Sequence, residues 1–282
     1  MDRYQLSRIK TRIAWFFAFL FAIGATFVAI LPFVFMVLNS FKEKFEMLKK
    51  GVFALPDQFY LDNYIGVLTG KFGLFFRNSV IVLIVSLSVL LFISACASYP
   101  LSTFRFKLAN PFYAVIVACM SIPLHITLIP VFRMMQKLHL YNTIWALPGP
   151  YIAFGVPISV FILTGFMKGI PGEVVESAEM DGCSKYGLFF RIILPLVKPG
   201  LSTLAIYNGV NMWNEFSFAY TLTQDAAHRT LPLAVWEFKG QYVMNTPMIM
   251  AVLTLTVLPM ILLFAVAQDK LVKGMTAGAV KG

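Results

Sequence analysis

Four acids, Glu173, Glu176, Glu179 and Asp181, fall within nine residues of a chain that is 59% hydrophobic. No catalytic constellation accompanies them. The chain contains no HExxH, GxSxG or GxxxxGK[ST] pattern, so the sequence offers neither a hydrolytic centre nor a nucleotide site of its own. What the acids can do is present charge to a partner. Pro171 suits a first helical turn, since its missing N–H and fixed φ cost nothing there, and Glu173 sits where the helix dipole favours negative charge. These signals predict a helix over residues 172 to 181. At 100° per residue Val174, Val175 and Ala178 share one arc and Glu173, Glu176 and Glu179 another, giving an apolar back and an acidic front. Gly182 accepts the left-handed turn that ends the helix, and a second helix from Ser184 to Ile193, closed by Pro195, completes a helix-turn-helix knob.

A second group lies in apolar sequence. Glu215 is the only acid well inside an uncharged run, and placing it in hydrocarbon costs roughly 2.5–3.5 kcal/mol unless it is paired or faces water. Spacings of three and four put Asn208, Asn211 and Glu215 on one side of a helix, with Asn214 beside them. Two readings stand: a polar lining for a path, or interhelical hydrogen bonds worth about 1 kcal/mol or less per pair. His125, flanked by Pro123 and Pro130, is expected to be a hydrogen-bonded packing residue. His139 and His228 fall near loops. Cys96, Cys119 and Cys183 have no spacing that suggests a disulfide frame or a metal site and read as small packing residues.

The elements that must position these groups are membrane helices. The hydrophobic share far exceeds that of soluble domains, and six largely uncharged runs are long enough to span, at approximately 13–38, 80–99, 111–132, 140–167, 199–223 and 247–268. The fold class is therefore an all-α membrane protein with six transmembrane helices, one transmembrane domain over residues 1–282, and the acidic helix-turn-helix loop at 169–198. Pro123, Pro130, Pro148, Pro150 and Pro157 predict bent or short third and fourth spans. The net charge of +10 is scattered between spans without interleaved aromatics, which points to lipid headgroups and away from nucleic acid. Arg3, Arg8, Lys10 and Arg12 precede the first span and favour a cytoplasmic N-terminus; an even span count puts both termini and the acidic loop on that side.

The run Glu176-Ser177-Ala178, three residues, Gly182, nine residues, then Ile192-Ile193-Leu194-Pro195 resembles the EAA loop of binding-protein-dependent ABC importer permeases, with Ser177 where the second alanine usually stands. The link from Ala97 to Phe112 resembles the short cytoplasmic turn of such permeases. The tail, Leu271 to Gly282, and the stretch Met212 to Phe216 resemble the carbohydrate-uptake branch, of maltose-transporter type. The resemblance implies a transport subunit that is not itself an enzyme, forming half of a path for a sugar or oligosaccharide, with a polyol or a sugar phosphate as other solutes. It implies that Glu173, Glu176, Ser177, Ala178, Asp181, Gly182, Ile192, Leu194 and Pro195 meet an ATPase. Thr276, Gly278, Lys281 and Gly282 would reach between two ATPase subunits as extended backbone. Asn211, Asn214 and Glu215 are the substrate-path candidates, and Trp213, Phe216 and Tyr220 either stack on sugar rings or anchor at the membrane interface. The implied partners are a second homologous permease, two cytoplasmic ATPase subunits and an extracytoplasmic sugar-binding protein, in a bacterial or archaeal cytoplasmic membrane. ATP and Mg belong to the ATPase, with no cofactor on this chain. A secondary transporter is the rival class, and it would carry more embedded ionisable groups than Glu215 alone.

Overall fold

A chain in hydrocarbon must satisfy its backbone hydrogen bonds within each segment, so long apolar runs become helices. The computed structural model describes the backbone of residues 3–238 and 245–279 and the side chains of residues 12–236 and 245–265. The helices among them are α1 (Arg3–Ser40), α2 (Lys44–Lys50), α3 (Asp62–Thr69), α4 (Phe72–Thr103), α5 (Ala109–Ala118), α6 (Leu124–Lys137), α7 (Pro148–Lys168) and α8 (Gly172–Met180). Then come α9 (Lys185–Leu196), α10 (Lys198–Trp213), α11 (Ser217–Leu222) and α12 (Thr246–Ala279). No strand occurs among the described residues. Four stretches are long and apolar enough to cross a membrane, Arg12–Ser40, Phe72–Thr103, Ile144–Lys168 and Thr246–Ala265, and the count reaches six if each of two bent helix pairs is one span.

Several boundaries differ from the sequence expectation. The second span begins at Phe72, well before Val80, and its 32 residues reach about 48 Å at 1.5 Å each. That length lets Arg77, which is exposed, sit beyond the hydrocarbon. The third span is broken between α5 and α6 by 99°. Pro123 causes this by holding Ile122 at φ −78, ψ 114, outside the helical region, whereas Pro130 lies inside α6 without ending it. Pro148 and Pro150, expected as kinks, start α7 instead, where a proline's missing N–H has no partner to lose. The residues before it include His139 and Asn142 at positive φ. His125, expected as a packing residue, is exposed. The last helix carries Thr276 and Gly278 in helical form, correcting the extended tail. Lys281 and Gly282 lie outside the described residues.

The chain forms two compact units. The first comprises residues 1–70 and 237–257. From Arg12 to Val34 its α1 side chains, most of them apolar, are exposed, as those of a helix facing lipid are. Where α1 ends, Lys42 is fully buried. Its Nζ donates to Asn39 Oδ1 at 2.9 Å and to the carbonyls of Gly51 and Val52 at 3.2 Å each. Burial pulls the Lys42 ammonium below its ordinary range, against the opposing charge of Glu46.

The second unit comprises residues 71–236 and 258–282. In it α4 lies along α7, with Ser98 Oγ donating to the Val160 carbonyl at 3.3 Å. Gly155 permits the approach: a Cβ there would lie 2.5 Å from Leu90 Cδ1 and 3.0 Å from Asn208 Oδ1. One apolar cluster gathers Leu90, Leu147, Tyr151, Met212 and Phe218, and a second gathers Tyr99, Leu163, Ala178, Leu188, Phe189 and Ile193.

Candidate functional site

The acidic loop folds as two helices held by their backbone and an apolar back. Helix α8 ends at Asp181, Gly182 follows at φ 75, and two bonds close the turn. Cys183 N–H donates to the Ala178 carbonyl at 2.9 Å and Gly182 N–H to the Glu179 carbonyl at 3.0 Å, the pairing that defines a Schellman end. Ser184 Oγ then accepts from Gly187 N–H at 3.2 Å and caps α9. The second helix differs from expectation, because Pro195 does not close it. Residues Leu188–Ile193 wind as a π turn, in which Leu194 N–H donates to the Phe189 carbonyl. The wider turn removes the carbonyl that a proline ring would otherwise strike, so helix continues to Leu196 and bends by 69° into α10.

Ala178, Leu188, Phe189 and Ile193 are buried against Tyr99 and Leu163. The Tyr99 hydroxyl donates to the Lys185 carbonyl at 3.0 Å, and the Tyr99 and Phe189 rings lie 5.0 Å apart. Glu173, Glu176, Ser177, Glu179 and Asp181 are exposed. Glu173, Glu176, Ser177, Glu179 and Met180 line one shallow concavity, and Met180 is 89% exposed. Of the remaining expected contact residues, Ile192 and Leu194 are half-buried and Pro195 is exposed.

The polar group of the fifth span comes together around a cavity of about 450 Å³ lined by Asn208, Asn211, Asn214, Glu215, Phe216 and, from α7, Tyr151 and Phe154. Its geometry is not that of a continuous helix. Helix α10 stops at Trp213 and α11 starts at Ser217, so Glu215 lies in a break and not on a helix face. Its carboxylate creates that break: Oε1 accepts from Phe218 N–H at 2.8 Å, and Oε2 accepts from Ala219 N–H at 3.1 Å and from the Tyr151 hydroxyl at 2.9 Å. The Phe218 and Ala219 N–H groups lie in the first turn of α11, where no intrahelical acceptor exists, so Glu215 satisfies that helix start while tying it to α7.

The asparagines divide between the two readings. Asn208 is buried and donates to Ser159 Oγ on α7 at 3.0 Å, an interhelical packing bond. Asn211 and Asn214 are exposed and line the cavity, each donating Nδ2 to its own helix, at the Tyr207 and Val210 carbonyls. Their Oδ1 acceptors are what they bring to the cavity. Trp213 is buried, with its ring edge-on to Phe76, and is no sugar platform. Phe216 and Tyr220 stack with ring centroids 5.6 Å apart. Tyr151 escaped the sequence reading because its partner is 64 residues away; its only local signal is a hydroxyl-bearing ring following Pro148-Gly149-Pro150. No group of metal-ligating side chains occurs among the described residues.

Membrane-length helices, a mostly apolar cavity with a few polar groups in its wall and an exposed acidic knob define a helical membrane protein. Residues 90–277 match the model of the family described as binding-protein-dependent transport system inner membrane component. The chain belongs to that family. It is similar to an ABC transporter permease protein of Caldicellulosiruptor sp. (strain Rt8B.4), 46% identical over 98% of this chain and 100% of the relative. It is also 34% identical to the arabinooligosaccharides transport system permease protein AraQ of Halalkalibacterium halodurans, over 96% of this chain and 97% of that one. In fold it resembles a chain of a bacterial ABC transporter involved in the import of the acidic polysaccharide alginate, with TM-score 0.80 and 20% identity over 95% of this chain and 98% of the other.

Proposed function

We propose that this chain forms half of the translocation path of an ABC importer for a sugar or oligosaccharide. A second homologous permease forms the other half, an extracytoplasmic binding protein delivers the solute, and two ATPase subunits carry the ATP and Mg. The chain itself binds no cofactor. The observation that carries the reading is the knob, whose acids are all turned outward while its apolar back is sunk against α4 and α7. In this reading Glu173, Glu176 and Asp181 dock in a cleft of the ATPase on the cytoplasmic side, where both termini also lie. Thr276 and Gly278 on α12, together with Lys281 and Gly282, are the remaining candidates for contact with the ATPase pair.

Mechanism follows from stiffness. ATP draws the ATPases together and the knob moves with them; because its back is packed on α4 and α7, displacement passes to those helices as a rigid shift between two packed arrangements. Asn211 and Asn214 then face one side of the membrane and the other in turn. The sugar assignment rests on the arabinooligosaccharides permease relative.

The test is Glu176→Lys in the assembled transporter. Glu176 is exposed, so the variant is expected to insert normally, while like charge at the docking face lowers ATPase co-purification and ATP-driven uptake in vesicles by at least about tenfold, the equivalent of about 1.4 kcal/mol. Wild-type uptake and co-purification by this variant would remove the docking role.

A further inference from the structure

Phe216 in the cavity wall begins a series of rings. Tyr220, one turn along α11, lies nearly parallel to it at 9°, and Trp236 continues the series with its centroid 5.5 Å from that of Tyr220 and its plane at 27°. Nearly parallel rings at such spacings are offset like steps, so each keeps part of a face uncovered. They are 41%, 52% and 41% exposed. The backbone behind them is fixed. Asn78 Nδ2 donates to the Ala227 and Arg229 carbonyls at 2.9 and 3.0 Å, and Leu231 N–H donates to Ser79 Oγ at 2.8 Å. Interfacial anchors need only reach headgroup depth and have no reason to align. These rings come from two separate segments, form one stack, and start in the cavity wall that also holds Asn211 and Asn214, whose Oδ1 atoms accept no hydrogen bond among the described residues.

A sugar presents an apolar C–H face and a rim of hydroxyls, which is the complement of ring steps flanked by carboxamides. Charge decides which sugar. Among the described residues that line the cavity none is Lys, Arg or His, and the one carboxylate, Glu215, already accepts three hydrogen bonds. This wall therefore has no counter-charge for a phosphate or a uronate. Each ring-to-ring step is comparable with one pyranose residue of a chain, so the series suits successive units of one molecule.

We infer that the stack of Phe216, Tyr220 and Trp236 is a sugar-binding track and that its ligand is a neutral oligosaccharide. The inference rests on the importer reading above. It is tested with the whole transporter, including partner permease, ATPases and binding protein, in proteoliposomes. The probes are neutral pentose and hexose trisaccharides, the corresponding monosaccharides, an alginate trisaccharide and a hexose phosphate. A neutral trisaccharide is imported with ATP. Tyr220→Leu and Trp236→Leu each raise its KM about 3- to 10-fold with unchanged binding-protein affinity, and Tyr220→Phe, which keeps the ring, recovers most of the loss. Wild-type KM in both leucine variants overturns the track. So does equal loss in Tyr220→Leu and Tyr220→Phe, or a loss that follows the amount of inserted complex, as membrane anchors would give. Preference of the wild-type transporter for the alginate trisaccharide or the hexose phosphate overturns the neutral ligand. ATP-driven uptake of none of the probes overturns the importer reading, and the track with it.

Discussion

The acidic knob and the break in the fifth span are both junctions where one helix gives way to another within a few residues, and opposite means hold them. At the knob, backbone bonds around Gly182 and buried Ala178, Leu188 and Ile193 fix the turn, and every acid faces outward. At the break, one carboxylate faces inward and accepts from Phe218, Ala219 and Tyr151. An outward charge is available to a partner; an inward charge is consumed by the fold. The same residue type therefore has opposite tolerances in the two places. Substituting Glu176 should leave the fold as it is, while substituting Glu215 should disturb it.

The largest expected effect tests that contrast. Glu215→Ala removes the acceptor for two helix-end N–H groups and a buried tyrosine hydroxyl, for a cost of about 2–3 kcal/mol. Thermal unfolding of the purified protein in detergent should fall clearly, and Glu215→Gln, which keeps an acceptor oxygen, should recover about half. Glu176→Ala should leave the same transition in place. If Glu215→Ala unfolds with the wild type, the carboxylate does not hold the break and the contrast fails.

The two junctions also differ in how far the sequence reveals them. Every signal at the knob is local: Pro171 before the helix, acids three apart, a glycine at the turn, a serine after it. Each acts on its neighbours, and the structure places α8 and the left-handed Gly182 where those signals put them, with Ser184 capping the second helix one residue before its start. The π turn was illegible, because Pro195 carries a stop signal and only the packing of Phe189 and Ile193 on Tyr99 rewards the wider winding. The break was illegible for a related reason. Residues 199–223 contain no internal proline, and what divides them is the Glu215 carboxylate, held by Phe218 and Ala219 N–H and by a hydroxyl on α7 that no helical spacing reveals. Cavity membership was partly legible, since Asn211, Asn214 and Glu215 do share it, whereas the role of Asn208 was decided by Ser159 on another helix.

A smaller effect isolates the backbone part of the knob. Gly182 sits at φ 75, and a Cβ added there would meet nothing within 4 Å. Gly182→Val therefore costs only the strain of a branched residue in the left-handed region, about 1–2 kcal/mol. Gly182→Asn should cost less, since asparagine tolerates that conformation. The expected readout is a modest loss of thermal stability with a larger loss of ATPase co-purification, because splaying α8 from α9 moves the acids. Equal stability of the valine, asparagine and glycine forms would mean that the turn is not held left-handed in the protein.

The smallest expected effect compares the two caps directly. Ser184 and Glu215 both accept from N–H groups at the start of a helix, but Ser184 makes one neutral bond of 3.2 Å at an exposed position, while Glu215 makes charged bonds beside a buried ring. Water can replace the serine oxygen after substitution, so Ser184→Ala should cost about 0.5 kcal/mol, the low end for a lost cap. Adding Ser184→Ala to Glu215→Ala should lower stability by the sum of the two losses, since the junctions share no partner. Double-mutant thermal unfolding measures this. A Ser184→Ala loss as large as that of Glu215→Ala would show that the knob, too, depends on a side chain, and the division between a backbone-held and a charge-held junction would no longer stand.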